Sequence, residues 1–192
     1  MAMNLRPAAQ ATVTAPTLSI WQALDLRLFA WVGGGHAAHP RTLALACALG
    51  RWSWVPLLAL MASAALLHDG SAGLWVLAQC LAVAALVQLA SKRLARRWCA
   101  SRPFMRGLSP NHLRHSARGG FPSTHATVMG AVLGFMALQL PAGDPALAGM
   151  ALTVAATGWA RVYAGAHFPL DVLAGLAFGS LSGALLAAAW GV

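Results

Sequence analysis

The amino-acid sequence predicts an all-α fold: a polytopic membrane helix bundle of about five to six transmembrane helices with an N-terminal interfacial helix. Three observations carry the prediction. The 192 residues are 59% hydrophobic and 9% charged, with a mean hydropathy of +0.66, whereas a soluble domain carries about 25% charged residues. Apolar runs of near-spanning length recur along the chain, divided by short polar turns. Those runs are rich in Ala and Gly, which let membrane helices approach closely.

Residues 1–16 are rich in Ala, Thr and Pro and read as a disordered tail, and residues 17–192 as one domain. The tail does not resemble a signal peptide, because the segment after it carries Asp25 and Arg27 and lacks a clear cleavage site. In residues 18–33, Ile20, Trp21, Leu24, Leu28 and Trp31 recur at roughly helical spacing, interrupted by Arg27 and Phe29. This is the pattern of a helix lying on the membrane; a short spanning helix is the alternative.

The first span lies within 41–67 and is interrupted by Arg51 and Pro56. The second, 74–91, has no charge over 18 residues and continues as a helix through the basic residues 92–98. The third runs from Ser123 to near Leu140, the fourth from Pro145 to near Gly165, and the fifth from Phe168, with no charge in 172–192. With five spans, the loops at 68–73 and 141–145 fall on one side of the membrane. The polar segment 92–122 and the turn 161–168 fall together on the other.

The charges are uneven: twelve Arg, one Lys (Lys92), four Asp and no Glu, for a formal net charge of +9. A nucleic-acid-binding chain would spread its basic residues over a soluble face with aromatics between them. Here Arg93, Arg96, Arg97, Arg102, Arg106, Arg114 and Arg118 crowd into one polar segment. That suits an anionic headgroup or phosphate at a membrane surface; a topology signal that holds this face in the cytoplasm is the alternative. Cys47, Cys80 and Cys99 lie in or beside apolar runs without CxxC spacing and read as small hydrophobes. His36 with His39, and His112 with His115, have spacings that could hold zinc on a helix, but they read as residues of solvated loops.

Three stretches carry chemistry. In GGFPSTHAT, 119–127, the glycines and Pro122 break the chain, so that Ser123 or Thr124 caps the next helix and His125 falls in its first turn. A helix start of this kind offers free N–H groups to a phosphate. In RVYAGAHFPLDV, 161–172, Pro169 opens a helix, and Asp171 lies near His167. A carboxylate there can fix the imidazole's tautomer and leave the other nitrogen free as nucleophile or base. An Asp at membrane depth is costly and marks function. In SKRLARRWCASRPF, 91–104, Arg102-Pro103 ends the basic helix with a guanidinium able to grip phosphate.

These stretches resemble the type 2 phosphatidic acid phosphatase (PAP2) family, whose signature is Lys followed at seven positions by Arg-Pro, then Pro-Ser-x-His, then Ser-Arg-x5-His-x3-Asp. Arg102-Pro103, Pro122-Ser123-Thr124-His125, and Arg161, His167 and Asp171 match in order and spacing. Two positions depart: Ala160 stands where the signature has Ser, and Lys92 lies ten residues before Arg102 instead of seven. The second displacement moves the lysine about 4.5 Å further along a helix, which Lys92's stem, Arg96 or Arg97 could make good.

The resemblance implies that His167 attacks phosphorus and Asp171 orients it. His125 then serves as acid and base, and Arg102, Ser123, Thr124, Arg161 and Lys92 hold the phosphate. It implies no metal and no cofactor; Asp25, Asp69, Asp144 and Asp171 are scattered in agreement. It also implies a lipid phosphate or diphosphate substrate. The short loop before Pro122 and the stretch RVYAGAHFPLD resemble bacterial undecaprenyl-diphosphate phosphatases of the PAP2 type. The expectation is hydrolysis of undecaprenyl diphosphate to undecaprenyl phosphate at the bacterial cytoplasmic (inner) membrane, with an extracytoplasmic site. Phosphatidic acid or phosphatidylglycerophosphate is the alternative substrate, and a non-catalytic lipid-phosphate binding or transport protein the alternative of another class.

Overall fold

The computed structural model describes residues 18–190 apart from Arg118, and the tail assigned to 1–16 lies outside the described residues. Seven α-helices follow one another: α1 (Ile20–Val32), α2 (Pro40–Trp52), α3 (Trp54–Asp69), α4 (Gly73–Trp98), α5 (Thr124–Gln139), α6 (Pro145–Tyr163) and α7 (Pro169–Ala189). Short 3-10 turns fall at Gly35–Ala37, Gly70–Ala72 and Pro103–Arg106, and there is no strand among the described residues.

Two helices, α4 and α7, are long and apolar enough to cross a membrane, and α2 with α3 forms a third candidate span bent by 49°. The bend falls where Arg51 and Pro56 interrupt the sequence. Pro56 sits in the first turn of α3, where its missing N–H costs no helical hydrogen bond. At 13 residues α1 is too short to span. Its start is fixed by a capping box, with Ser19 Oγ accepting from Gln22 N at 3.2 Å and Gln22 Oε1 from Ser19 N at 3.0 Å.

Large apolar side chains such as Leu81, Leu86, Leu152, Phe178, Leu181 and Leu185 are exposed, as expected where lipid takes the place of water. Exposed Trp75 and Trp190 lie toward one end of the bundle, and Trp52, Trp54 and Trp98 toward the other; tryptophan favours the two membrane–water boundaries.

The most extensive helix pairing joins α5 and α7. It is made by glycines. Gly175, Gly179 and Gly183 repeat every fourth residue on α7, and Gly130 and Gly134 on α5. A Cβ on Gly175 would lie 2.8 Å from the Ser123 carbonyl oxygen, and one on Gly130 2.7 Å from the Leu176 carbonyl oxygen. A Cβ on Gly179, Gly183 or Gly134 would collide with the carbonyls of Thr127, Ala131 and Ser180. The partners advance together along both helices, so α5 and α7 run parallel in backbone-to-backbone contact, and α6 is the return stroke. Around this pair α4 packs on α5, α3 on α4 and α6, and α2 on α6. The main core joins Met61, Val83, Phe135, Met136 and Met150. A second, smaller core of Phe29, Ala126, Val162, Phe168 and Val172 ties α1 to the starts of α5 and α7.

Gly179→Val should cost about 3 kcal/mol or more through overpacking, lowering the melting temperature in detergent by roughly 10 °C or preventing folding. Leu185→Ala, on the exposed face of the same helix, should shift it by no more than about 2 °C. Equal melting curves for the two variants would rule out the backbone contact as the constraint.

Candidate functional site

The parallel arrangement brings the first turns of α5 and α7 side by side. Ser123 is the N-cap of α5, and its N–H donates to the Asp171 carbonyl at 3.0 Å. Its hydroxyl makes no cap bond; Ser123 Oγ is buried and has no hydrogen-bond partner among the described residues. Thr124 Oγ1 instead meets the Ser91 hydroxyl of α4 at 3.3 Å. The start of α5 turns its free amides and positive dipole end to this region, whereas at the start of α7 the Phe168 amide is taken by Asp171 and the Leu170 amide by Asp25.

His167 sits in the tight turn between α6 and α7 and is almost fully buried. Gly165 permits the turn: its φ of +68° is left-handed, and an added Cβ would strike Ser109. His167 Nδ1 lies 2.9 Å from the Gly120 carbonyl. A carbonyl only accepts, so Nδ1 carries the proton and Nε2 presents its lone pair. That lone pair accepts from Arg102 Nη1 at 2.9 Å. The sequence suggests Asp171 as the orienting partner, but its Oδ2 lies 3.7 Å from Nδ1, too far for a hydrogen bond. Asp171 Oδ2 accepts instead from Phe168 N at 2.9 Å. The Asp171 carboxyl therefore fixes the start of α7 beside the imidazole. Burial first, then the charges of Arg102 and Arg161, hold the His167 imidazole well below its usual range, so that it is neutral at neutral pH.

Arg102 is held by carbonyls as well as by His167: Nη1 donates to Ala166 O at 3.0 Å and Nη2 to Gly119 O at 3.2 Å. The glycine pair thus does more than break the loop. Gly119 and Gly120 each turn a carbonyl onto a functional side chain, and a Cβ on Gly119 would collide with the Ala95 carbonyl of α4.

Arg161, in the last turn of α6, is buried. Its Nη1 donates to the Gly50 carbonyl at 3.2 Å. Gly50 belongs to the last turn of α2, whose carbonyls have no donor further along the helix; the bend in the first span supplies this anchor. Arg161 Nη2 donates to His125 Nδ1 at 3.2 Å and to His115 Nε2 at 2.7 Å. Because His125 Nδ1 accepts, the proton of the neutral ring is on Nε2.

His115 differs from the sequence expectation. It is read there as a solvated loop residue, yet its ring centroid lies 6.4 Å from that of His125 and 6.1 Å from that of His167. Burial, then the charges of Arg161 and Arg102, push its imidazole down to about 4. Spacing on a helix could not reveal this, because His115 lies in the irregular segment between the Pro103–Arg106 turn and α5.

These groups line a cavity of about 530 Å³. Its wall includes His115, Thr124, His125, Arg102, Arg161 and His167, and also Arg51, Lys92 and Arg96. Lys92, Ala95 and Arg96 all line it, because residues three and four apart share a helix face. The three-residue displacement of Lys92 is close to one turn, so the lysine remains on the cavity side. No carboxylate lines this cavity among the described residues.

Residues 73–191 match the PAP2 superfamily. The chain is 38% identical over 81 residues to the putative undecaprenyl-diphosphatase YbjG of Escherichia coli (strain K12), covering 42% of this chain and 39% of that protein. It is 46% identical over 66 residues to the lipid A 1-phosphatase of Rhizobium johnstonii, covering 34% of this chain and 26% of that one. The matched segments thus span about two fifths of these relatives' own length or less. The fold resembles the crystal structure of the first transmembrane PAP2 type phosphatidylglycerolphosphate phosphatase from Bacillus subtilis, with a TM-score of 0.66 over 88% of this chain and 85% of that one, at 21% identity; this is a likeness of fold. With its family match running from α4 through α7, over more than half of its length, the chain belongs to the PAP2 superfamily.

Proposed function

We propose that this protein is a lipid phosphatase that hydrolyses undecaprenyl diphosphate to undecaprenyl phosphate through a phosphohistidine on His167, without a metal ion. The observation that carries the reading is the shared cavity. It joins an imidazole lone pair, an imidazole N–H and two guanidinium groups with a further set of cations, Arg51, Lys92 and Arg96. Five cationic side chains and no carboxylate among the described lining residues suit a ligand with more negative charge than a single phosphate monoester.

In the first step His167 Nε2 attacks the terminal phosphorus as the P–O bond to the lipid monophosphate breaks. His125, protonated on both ring nitrogens when the anionic headgroup is bound, gives its Nε2 proton to the departing oxygen and becomes neutral. Arg102, Arg161 and the amides at the start of α5 balance charge on the non-bridging oxygens, with Ser123, Thr124 and Lys92 contributing to the same cradle. In the second step water attacks the phosphorus. His125 takes its proton, the P–N bond breaks, and orthophosphate leaves with His167 restored. Asp171 supports the imidazolium character that develops during attack. The leaving group is itself a phosphate, weaker in basicity than the alkoxide released from phosphatidic acid. The matched relatives include one named as a putative undecaprenyl-diphosphatase and one as a lipid A 1-phosphatase, which makes lipid A 1-phosphate a useful competitor. The protein would work in the bacterial cytoplasmic membrane with its cavity on the extracytoplasmic side.

Purified protein should release orthophosphate from dispersed undecaprenyl diphosphate in EDTA at the same rate as with added Mg²⁺; release only with the metal would sink the mechanism. His167→Ala should stay folded at the assay temperature, melting below the wild type because a buried ring is lost, and lose at least about 10³-fold in kcat; an unchanged rate would move the nucleophile elsewhere. In mixed micelles undecaprenyl diphosphate should outcompete phosphatidic acid, phosphatidylglycerophosphate and lipid A 1-phosphate in kcat/KM; preference for any of these reassigns the substrate. Cysteine at the cavity residue Ser116, in a chain with Cys47 and Cys99 replaced, should react with an impermeant reagent in intact cells. Reaction only after lysis would put the site on the cytoplasmic face.

A further inference from the structure

The loop before α5 carries a device that the PAP2 motifs do not include. The Asn111 side chain brackets the backbone of His115: Asn111 Nδ2 donates to His115 O at 2.8 Å, and His115 N donates to Asn111 Oδ1 at 2.9 Å. The bracket closes over Arg114, whose φ of +53° is left-handed. A residue held at both backbone groups has the direction of its Cα–Cβ bond set by the loop. The ring is thereby turned inward onto the guanidinium of Arg161, its Nε2 2.7 Å from Nη2.

Arg161 needs such support. Its Nη1 is anchored on the Gly50 carbonyl. The described hydrogen bonds give its Nη2 only two acceptors, both imidazoles: His115 at 2.7 Å and His125 at 3.2 Å. Its Nε is buried without a partner among the described residues. His125 is committed elsewhere in the proposed chemistry. We propose that His115, presented by the Asn111 bracket, is a positioning residue for Arg161: it holds Nη2 in the plane and place from which the guanidinium grips a phosphate oxygen. The acceptor matters more than the ring, since Arg161 can only donate. When phosphate arrives, the planar fork keeps one N–H on its protein anchor while another turns to the ligand.

The role rests on the phosphate-binding reading of the cavity, so the test separates binding from turnover. The full chain in detergent is titrated with orthovanadate by calorimetry, and kcat and KM are measured with undecaprenyl diphosphate. His115→Phe keeps the bulk and removes the acceptor. It should weaken vanadate binding about tenfold and lower kcat/KM by a similar factor. His115→Gln restores an acceptor near the position of Nε2 and should stay within about threefold of wild type in both. Asn111→Ala, which frees the loop and leaves the ring, should fall between them. The proposal is overturned if His115→Phe binds vanadate within twofold of wild type, or if His115→Gln is as impaired as His115→Phe. If vanadate binding follows the predicted order while the wild type turns over no lipid diphosphate, the positioning role stands and the enzymatic reading fails. Turnover without the Phe–Gln contrast has the opposite meaning.

Discussion

The contact on which the rest of the structure depends is the glycine-lined meeting of α5 and α7. Without side chains at Gly130, Gly134, Gly175, Gly179 and Gly183, the two backbones come as close as carbonyl oxygens allow. Lipid offers no hydrophobic drive for helix association, so close packing must supply it. Because the helices are parallel, the contact also has a chemical consequence. It sets two helix N-termini beside each other at one membrane face, the end at which a helix favours negative charge. His125 rides on one and His167 lies just before the other. A single packing motif therefore determines both the stability of the bundle and the separation of the two imidazoles.

The buried cation of Arg161 follows from the same geometry. A guanidinium in a low-dielectric site usually sits against a carboxylate, since an uncompensated buried charge is expensive. The hydrogen bonds described for Arg161 all go to neutral acceptors: the Gly50 carbonyl and two imidazoles. Carbonyl and imidazole dipoles solvate the charge without cancelling it, so the cavity keeps net positive potential for an anion. A carboxylate in place of those acceptors would stabilise Arg161 more and compete with a phosphate for the same N–H groups. The arrangement thus trades stability for a cavity wall of positive charge.

How much of this was legible in the sequence depends on range. The spacing of Arg161, His167 and Asp171, and the Pro-Ser-Thr-His run before a helix, are local patterns and were readable as such. The break in the first span was readable too, because Arg51 and Pro56 are local interruptions; that the bend would free the Gly50 carbonyl for Arg161, 111 residues on, was not. The hydrogen-bond partner of His167 is not readable for a related reason. Asp171 is four residues away on a helix start and looks like the natural acceptor, whereas Gly120 O reaches Nδ1 across 47 residues. His115 went unrecognised because an irregular segment has no period to read: its orientation comes from Asn111 and from Arg161, which lies 46 residues distant. Lys92 is the reverse case. Counting positions made it look displaced, while helical geometry, in which three residues are nearly a full turn, keeps it on the cavity wall.

The first helix shows how an element outside the family match comes to matter for the site. Helix α1 lies too far upstream for the 73–191 match and is too short to cross a membrane. Yet Asp25 Oδ1 accepts from Leu170 N at 2.9 Å, capping the start of α7 from another helix. Phe29 meets Phe168 edge to face with ring centroids 5.5 Å apart, and the Arg106 guanidinium lies over the Phe168 ring, 5.5 Å from its centroid. Phe168 is the neighbour of His167. The turn that carries the imidazole is therefore held from the bundle side by Gly120 and Arg102 and from the surface side by α1. Under the proposed function such fixation keeps the ring aimed at the phosphorus, where a misplacement of about 1 Å can cost on the order of 10²-fold in rate. The interfacial helix then belongs to the site's geometry as much as to its attachment to the membrane, and the charge at Asp25 has a structural reason in a chain with only four acidic residues.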